Sequence, residues 1–248
     1  MNTSENTKQN KKYSIIIPSL CQPQFLANCI NSIIKYSEDY NFILIDNGYA
    51  DKQIQEEIMP LLQSCESFKL IRNKENKGFI GAVNQGIKYV IEDDYTPFII
   101  VMNDDTQAVE NWLPSLNEPF EDKYYNIMAS GSLTTTKGSW QGNFTPSNNL
   151  TYIILPENNM LAFFCTMFKT ETFKTVGYLD EQISELGFGD DDDYCRRIHN
   201  NKGRLALCQK LVIPHHHRST FKKLFDDKTI KDMQNEALNN YKKKHSIT

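Results

Sequence analysis

In the first hundred residues, short apolar runs rich in β-branched side chains alternate with stripes of apolar residues spaced three and four apart. The runs are YSIIIP (Tyr13 to Pro18), NFILID (ending at Asp46), FKLIR (Phe68 to Arg72) and PFIIVM (Pro97 to Met102). Such runs, without polar alternation, predict strands buried on both faces. Between them, Phe25, Leu26, Cys29, Ile30, Ile33 and Ile34 share one helical face. Ile54, Ile58, Leu61 and Leu62 share a second, and a third helix is expected from Ile80 to Ile91. This alternation with short connections predicts βαβ units and an α/β protein with a parallel sheet. In such sheets ligands bind beyond the carboxyl ends of the strands. The polar residues at those ends, Ser19, Asp46, Asn73 to Gly78, and Asn103, Asp104 and Asp105, therefore carry the functional information.

With 248 residues, 40% of them hydrophobic, the chain can fill one large domain or one domain with an appendage. A net charge of -4 opposes a general nucleic-acid binder, which needs a basic surface. The six cysteines are scattered without a CxxC pair, as expected for reduced thiols in a cytoplasmic protein. Residues 1–12 are polar and read as a flexible leader, and no run reaches the length of a membrane span. The second half has longer irregular stretches before the apolar segment MLAFFCTMF, from Met160 to Phe168. Near the end, Ile230, Met233, Ala237, Leu238 and Tyr241 lie at helical spacing with lysines opposite, which predicts a C-terminal helix packed on the body. Those lysines suit either the outer face of an ordinary helix or peripheral contact with an anionic membrane.

Asn103, Asp104 and Asp105 directly follow a buried strand, so their oxygens suit a hard divalent cation such as Mg²⁺ or Mn²⁺; a capped turn uses the same residue types. In NKENKGFIGAVNQGI, Gly78 precedes a helix whose free N–H groups favour an anion, with Asn76 and Asn84 nearby. The loop after the first strand contains no glycine, and neither GxGxxG, GxxxxGK[ST] nor GxSxG occurs. A dinucleotide-binding fold is therefore disfavoured. GFGDDDDYCRR sets Asp190, Asp191, Asp192 and Asp193 in a row, which is either a solvated acidic turn or a site, because adjacent like charges need water, a cation or a proton. HHHR (His215 to Arg218) could join Cys195, His199 and Cys208 in a zinc site, although their spacings match no zinc pattern.

Taken in order, these segments resemble glycosyltransferase family 2, the inverting GT-A enzymes that use nucleotide sugars. YSIIIPSL resembles the family's opening strand, FILIDNGYAD its VVDNGSxD, NKGFIGAVNQGI its NxGfagaxNxG, and VMNDDT its DxD-type motif. FFCTMFKTETFKTVGYLDE is similar to the segment that ends the family's central region in GgFDE. FGDDDDYCRR resembles the fxEDxDLcxR box and LVIPHHHRSTF the closing vxHxxxxTF. The ordered set carries more weight than any one motif, and it covers Tyr13 to Phe221.

The resemblance implies a GT-A fold with a Rossmann-like, mostly parallel central sheet flanked by helices and a smaller acceptor-side region. It divides the chain into a nucleotide-sugar half (13–105), an acceptor and catalytic half (106–221) and a C-terminal helical extension (222–248). It implies a metal-dependent enzyme, using Mn²⁺ or Mg²⁺, that moves a sugar from a UDP- or dTDP-sugar to a glycan or lipid-linked hydroxyl. Matched residue by residue, Asp191 is the general base, with Asp190, Asp193 and Arg197 supporting it. Asp46 contacts the nucleotide base, Pro18 and Ser19 line the same pocket, and Asn76, Gly78 and Asn84 belong to the nucleotide site. Asp104 lies near the ribose or a metal-bound water, while Asp105 and His215 hold the metal, with His217 as the competing register. PSLCQP stands where the family has PTYN, and NGYAD where it has NGSxD. A nucleotidyltransferase and a catalytically silent nucleotide-sugar or cation-binding module are the alternatives.

Overall fold

The computed structural model describes residues 11–137, 139–147, 149–216 and 219–247. Most of the expected leader, and His217, lie outside these residues. Lys11 and Lys12, assigned to the leader, belong to the body instead: Lys12 pairs through its backbone with Asp39 and Phe98, and Lys11 bonds Glu66.

The chain runs β1 (Tyr13–Ser19), α1 (Pro23–Tyr36), β2 (Tyr40–Asp46), α2 (Asp51–Gln53), a π-helical turn (Ile54–Ile58) and α3 (Met59–Leu62). It continues with β3 (Phe68–Arg72), α4 (Gly78–Glu92), β4 (Phe98–Met102), α5 (Trp112–Asn117) and a 3₁₀ turn (Glu118–Glu121). The second half contains β5 (Ile127–Thr134), β6 (Tyr152–Ile154), β7 (Cys165–Lys169), α6 (Thr170–Val176), α7 (Asp190–Asn200), β8 (Arg204–Ile213), α8 (Ser219–Leu224) and α9 (Asp227–Lys244). The π turn sits where Pro60 has no N–H to return to the preceding turn; Met59 bonds back to Ile54 instead.

Among the described residues the strands form one eight-stranded sheet in the order β3-β2-β1-β4-β7-β5-β8-β6. β3, β2, β1 and β4 are parallel, as the alternation predicts. Beyond β4 the sheet is mixed: β7 lies antiparallel to β4 and β5, β8 parallel to β5, and β6 antiparallel to β8.

The uninterrupted apolar runs follow from burial on both faces. Ile15, Ile17, Phe42 and Leu44 pack against α1 and the Asp51–Leu62 helical segment, while Ile16, Ile43 and Ile45 point to the α4 side. On that second face Tyr194 of α7 is fully buried among Phe163, Phe168 and Phe173. Gly86 belongs to the core: a Cβ there would lie 2.5 Å from Ile16 Cγ2, so α4 needs glycine to approach β1.

The C-terminal helix forms, but not with the expected apolar stripe. In α9 only Ile230 and Ala237 are buried, and Leu238 is 48% exposed. Among the described residues no helix is long and apolar enough to cross a membrane.

Candidate active site

The strand order reverses between β1 and β4, which opens a crevice at their carboxyl ends. The chain leaving β4 turns at Asn103, whose carbonyl accepts from the Thr106 backbone and hydroxyl. Thr106 then forms an isolated antiparallel bridge with His215, flanked by bonds from Gln107 N–H to Pro214 and from His216 N–H to Asp105. This short ladder joins residues more than a hundred positions apart and sets His215 Nε2 3.2 Å from an Asp105 carboxylate oxygen. The His215 ring is held from its other side by stacking on Phe164, with centroids 4.9 Å apart and planes 12° from parallel.

Asp104 sits beside this pair, 5% exposed, at the end of a hydrogen-bond chain. Gln22 N–H donates to the Tyr49 hydroxyl, Tyr49 and Ser19 share a bond of 2.9 Å, and Ser19 donates to Asp104 Oδ2. Burial pushes the Asp104 carboxyl up to about 7, with Asp105 adding to the rise and the Ser19 hydroxyl opposing it. Tyr49 and Ser19 thus serve the acidic cluster from the segments that depart from the family pattern.

Two of the four aspartates in the run, Asp190 and Asp191, also face this region. Gly187, Phe188 and Gly189 all have positive φ, at 134°, 86° and 73°. They deliver the chain to the start of α7, so the four carboxylates occupy one helical first turn, where free N–H groups and the helix dipole favour negative charge. This placement explains why they can be adjacent. Burial raises Asp190 to about 6, with Asp192 and Asp193 contributing, and lifts Asp191 well above the carboxylate range, with Asp190 and Asp192 adding. Asp193 behaves oppositely: burial would raise it, but Lys244, Arg197 and His245 outweigh that and lower it.

Asp104, Asp105 and His215 line the same cavity, of about 330 Å³, as Asp190 and Asp191. Pro18, Ser19, Asn76 and Gly78 line it too. A carboxylate and an imidazole converging on one wall fit a divalent cation that accepts oxygen and nitrogen donors. Among the described residues no group of three or more His, Cys, Asp or Glu could hold a metal ion by itself.

Four expected site residues lie elsewhere. Asp46 is fully buried and does not line the cavity; its carboxylate accepts from the Gly48 and Tyr49 N–H groups and from Arg72 Nε. It shapes the turn after β2. Asn84 joins α4 to Leu179 and Glu181, again outside the cavity. Asp193 and Arg197 form an ion pair at 2.8 Å beneath the α7 turn, and Arg197 also bonds the carbonyls of Val176 and Tyr178. The zinc idea fails because its members are dispersed: Cys195 bonds Leu161, Cys208 bonds Ser115, and His199 meets Gly203.

The cavity also recruits residues without a readable code. Trp140, Phe163 and Phe164 line it, as does Gln141, which is fixed by Ala162 N–H and Ser132 C=O. Thr220, Leu224 and Phe225 reach in from α8 and the residue after it, so the expected extension from 222 onward contributes to the site. The GFG before the aspartates was the available signal for Phe188. Thr220 belongs to the closing motif LVIPHHHRSTF, whereas Leu224 and Phe225 carried no signal.

Comparison with known proteins places the fold and the family. A hexosyltransferase of low-salt glycan biosynthesis, Agl10 of Haloferax volcanii, is 22% identical over 210 residues, which is 79% of this chain. The chain spans 64% of that relative's length. Among solved structures, GalNAc-T7 with UDP, GalNAc and Mn²⁺ superposes with a TM-score of 0.68 at 17% identity, over 83% of this chain and 43% of its own. The mannosyltransferase PcManGT of Pyrobaculum calidifontis, with GDP-Man and Mn²⁺, gives 0.66 at 11% identity, over 84% and 57%. S. aureus TarS 1–349 with UDP-GlcNAc gives 0.65 at 14% identity, over 94% and 73%. These likenesses identify the fold as GT-A. The sequence profile of glycosyl transferase family 2 matches residues 14–177, and the chain belongs to that family.

Proposed function

We propose that the protein is a metal-dependent inverting glycosyltransferase that moves a hexose from a UDP- or dTDP-sugar to a hydroxyl of a glycan or lipid-linked acceptor. The observation that carries this reading is the single cavity shared by Asp105 and His215 on one wall and Asp191 on the other. Relatives with this fold hold UDP with Mn²⁺, GDP-Man with Mn²⁺, or UDP-GlcNAc, which supports a nucleoside diphosphate donor.

In this reading Asp105 and His215 would hold a Mn²⁺ or Mg²⁺ ion, which would supply positive charge to offset the negative charge building on a departing diphosphate. Trp140, which lines the cavity, gives a sugar ring an apolar surface. Asp191 accepts the proton of the acceptor hydroxyl as that oxygen bonds to the anomeric carbon; the bond from that carbon to the phosphate oxygen breaks, and its electron pair leaves with the diphosphate. One displacement inverts the configuration. The raised affinity of Asp191 for a proton suits a general base, since it strengthens the pull on the hydroxyl hydrogen.

Calorimetry with UDP, in Mn²⁺ and in EDTA, tests the metal wall. Binding should require Mn²⁺ and weaken by about tenfold or more in Asp105→Ala, the loss of roughly 1.4 kcal/mol or more of interaction. Equal UDP affinity in EDTA and in the variant would remove the metal from the reading.

A further inference from the structure

α9 is fastened to the protein in an unusual way. Of its eighteen residues only Ile230 and Ala237 are buried, so little apolar burial holds it. Its polar attachments converge on one target. Asn240 Nδ2 donates to the Ile183 carbonyl at 3.1 Å, and the Tyr241 hydroxyl accepts from Arg196 of α7 at 2.8 Å. Lys244 Nζ lies 2.7 Å from both Asp180 Oδ2 and Asp193 Oδ1, and His245 Nε2 lies 2.8 Å from the same Asp193 oxygen. Every one of these partners is on α7 or on the segment leading into it. Ala237 also packs beside Gly189, the residue that caps α7, where an added Cβ would lie 3.6 Å from the alanine's own.

Asp193 is the point where these contacts meet. Its side chain is 1% exposed and is held from within α7 by Arg197 and from α9 by Lys244 and His245. Asp190 and Asp191, in the same helical turn, line the cavity. That turn is entered through three successive positive-φ residues; ahead of them the chain is held at Leu186 by Phe79 N–H of α4, and behind them the turn is held at Asp193.

We infer that the end of α9 is part of the transferase machinery: Lys244 and His245 are positioning residues that, by gripping Asp193, set where the first turn of α7 presents Asp191 to the cavity. The inference rests on the reading of Asp191 as the base. It assigns a role to residues beyond the 14–177 segment matched by the family profile and beyond the Tyr13–Phe221 span of the resemblance.

The test uses the full chain with Lys244→Met and His245→Ala combined. His245→Gln, which keeps a donor near Asp193, and Lys243→Met, an exposed position of the same helix, accompany it. Two quantities are read: hydrogen exchange across 187–193, and steady-state turnover of whichever UDP-, dTDP- or GDP-sugar the wild type hydrolyses or transfers. The double variant should exchange about tenfold faster in that segment. Its kcat should fall about tenfold or more while the donor KM stays within about twofold. His245→Gln should recover most of the loss, and Lys243→Met should match the wild type. A folded double variant with unchanged exchange and unchanged kcat overturns the inference, as does a rise in KM with kcat intact. If the double variant does not fold, His245→Ala alone decides on the same readouts. Asp191→Asn is measured in parallel. Full turnover there sinks the base assignment, whereas loss there with full turnover in the double variant sinks only the role of α9.

Discussion

Replacing Gly78 by alanine is expected to damage fold and site together, through a contact visible at atomic scale. Gly78 opens α4 at φ +67°, and a Cβ built on it would stand 2.2 Å from the Glu185 carbonyl oxygen and 2.9 Å from Leu186 Cα. Both obstacles are backbone, so no side chain can rotate to make room. A left-handed alanine costs about 1 to 2 kcal/mol on its own. Moving the 185–186 segment also breaks the 2.9 Å bond from Phe79 N–H to the Leu186 carbonyl, worth about 1 to 3 kcal/mol if the groups are left unsatisfied. The total is roughly 2 to 5 kcal/mol, a large part of the stability of an ordinary domain. Urea unfolding should show the midpoint falling at unchanged slope. Turnover should fall as well, because the displaced backbone leads within four residues to Asp190. A stability loss under about 0.5 kcal/mol would refute the claim that this glycine is demanded by the close approach of α4 to the loop before α7.

Asp190→Asn should stabilise the protein at neutral pH. With its carboxyl raised from 3.8 to about 6, the native chain keeps a proton that the unfolded chain has lost. This group therefore favours folding at low pH, and the advantage disappears as pH rises through about 6. Removing the charge should add about 1 to 3 kcal/mol at pH 8 and almost nothing at pH 3.5; a variant less stable than wild type at pH 8 would contradict this. Arg72→Met should cost about 1 to 3 kcal/mol, because the fully buried Asp46 would retain only its two backbone donors. A change within about 0.3 kcal/mol would show that the pair is dispensable. Gly86→Ala, which drives a Cβ to 2.5 Å from Ile16, should lower thermal stability by about 1 to 3 kcal/mol, and an unchanged melting curve would count against close packing of α4 on β1.

The parallel half of the sheet was legible because each strand there is buried on both faces and says so in uninterrupted apolar residues. β3 was located residue for residue, and β1, β2 and β4 within a residue. The mixed half was not: β6 has only three residues, all partly exposed, and its place depends on β8 being available to pair with it. In the site, the carboxylates after β4 and the aspartate run stood out because carboxylates at a strand end or in a run are conspicuous, while the choice of Asp105 and Asp191 among them came from the resemblance. Asp46 carried the same signal, yet its partners, two local N–H groups and Arg72 from the next strand, turn it inward. Nor could the fate of Lys244 and His245 be read, since a lysine-rich helix end looks alike whether it meets solvent, a lipid surface or a buried aspartate.

The central claim is that one cavity combines a metal-holding wall with a separate base. Asp191→Asn keeps the shape of the side chain and removes its capacity to take a proton. Measured side by side on this variant, UDP affinity in Mn²⁺ should stay within about threefold of wild type while sugar transfer falls about a hundredfold or more. Transfer at the wild-type rate with UDP still bound would contradict the account.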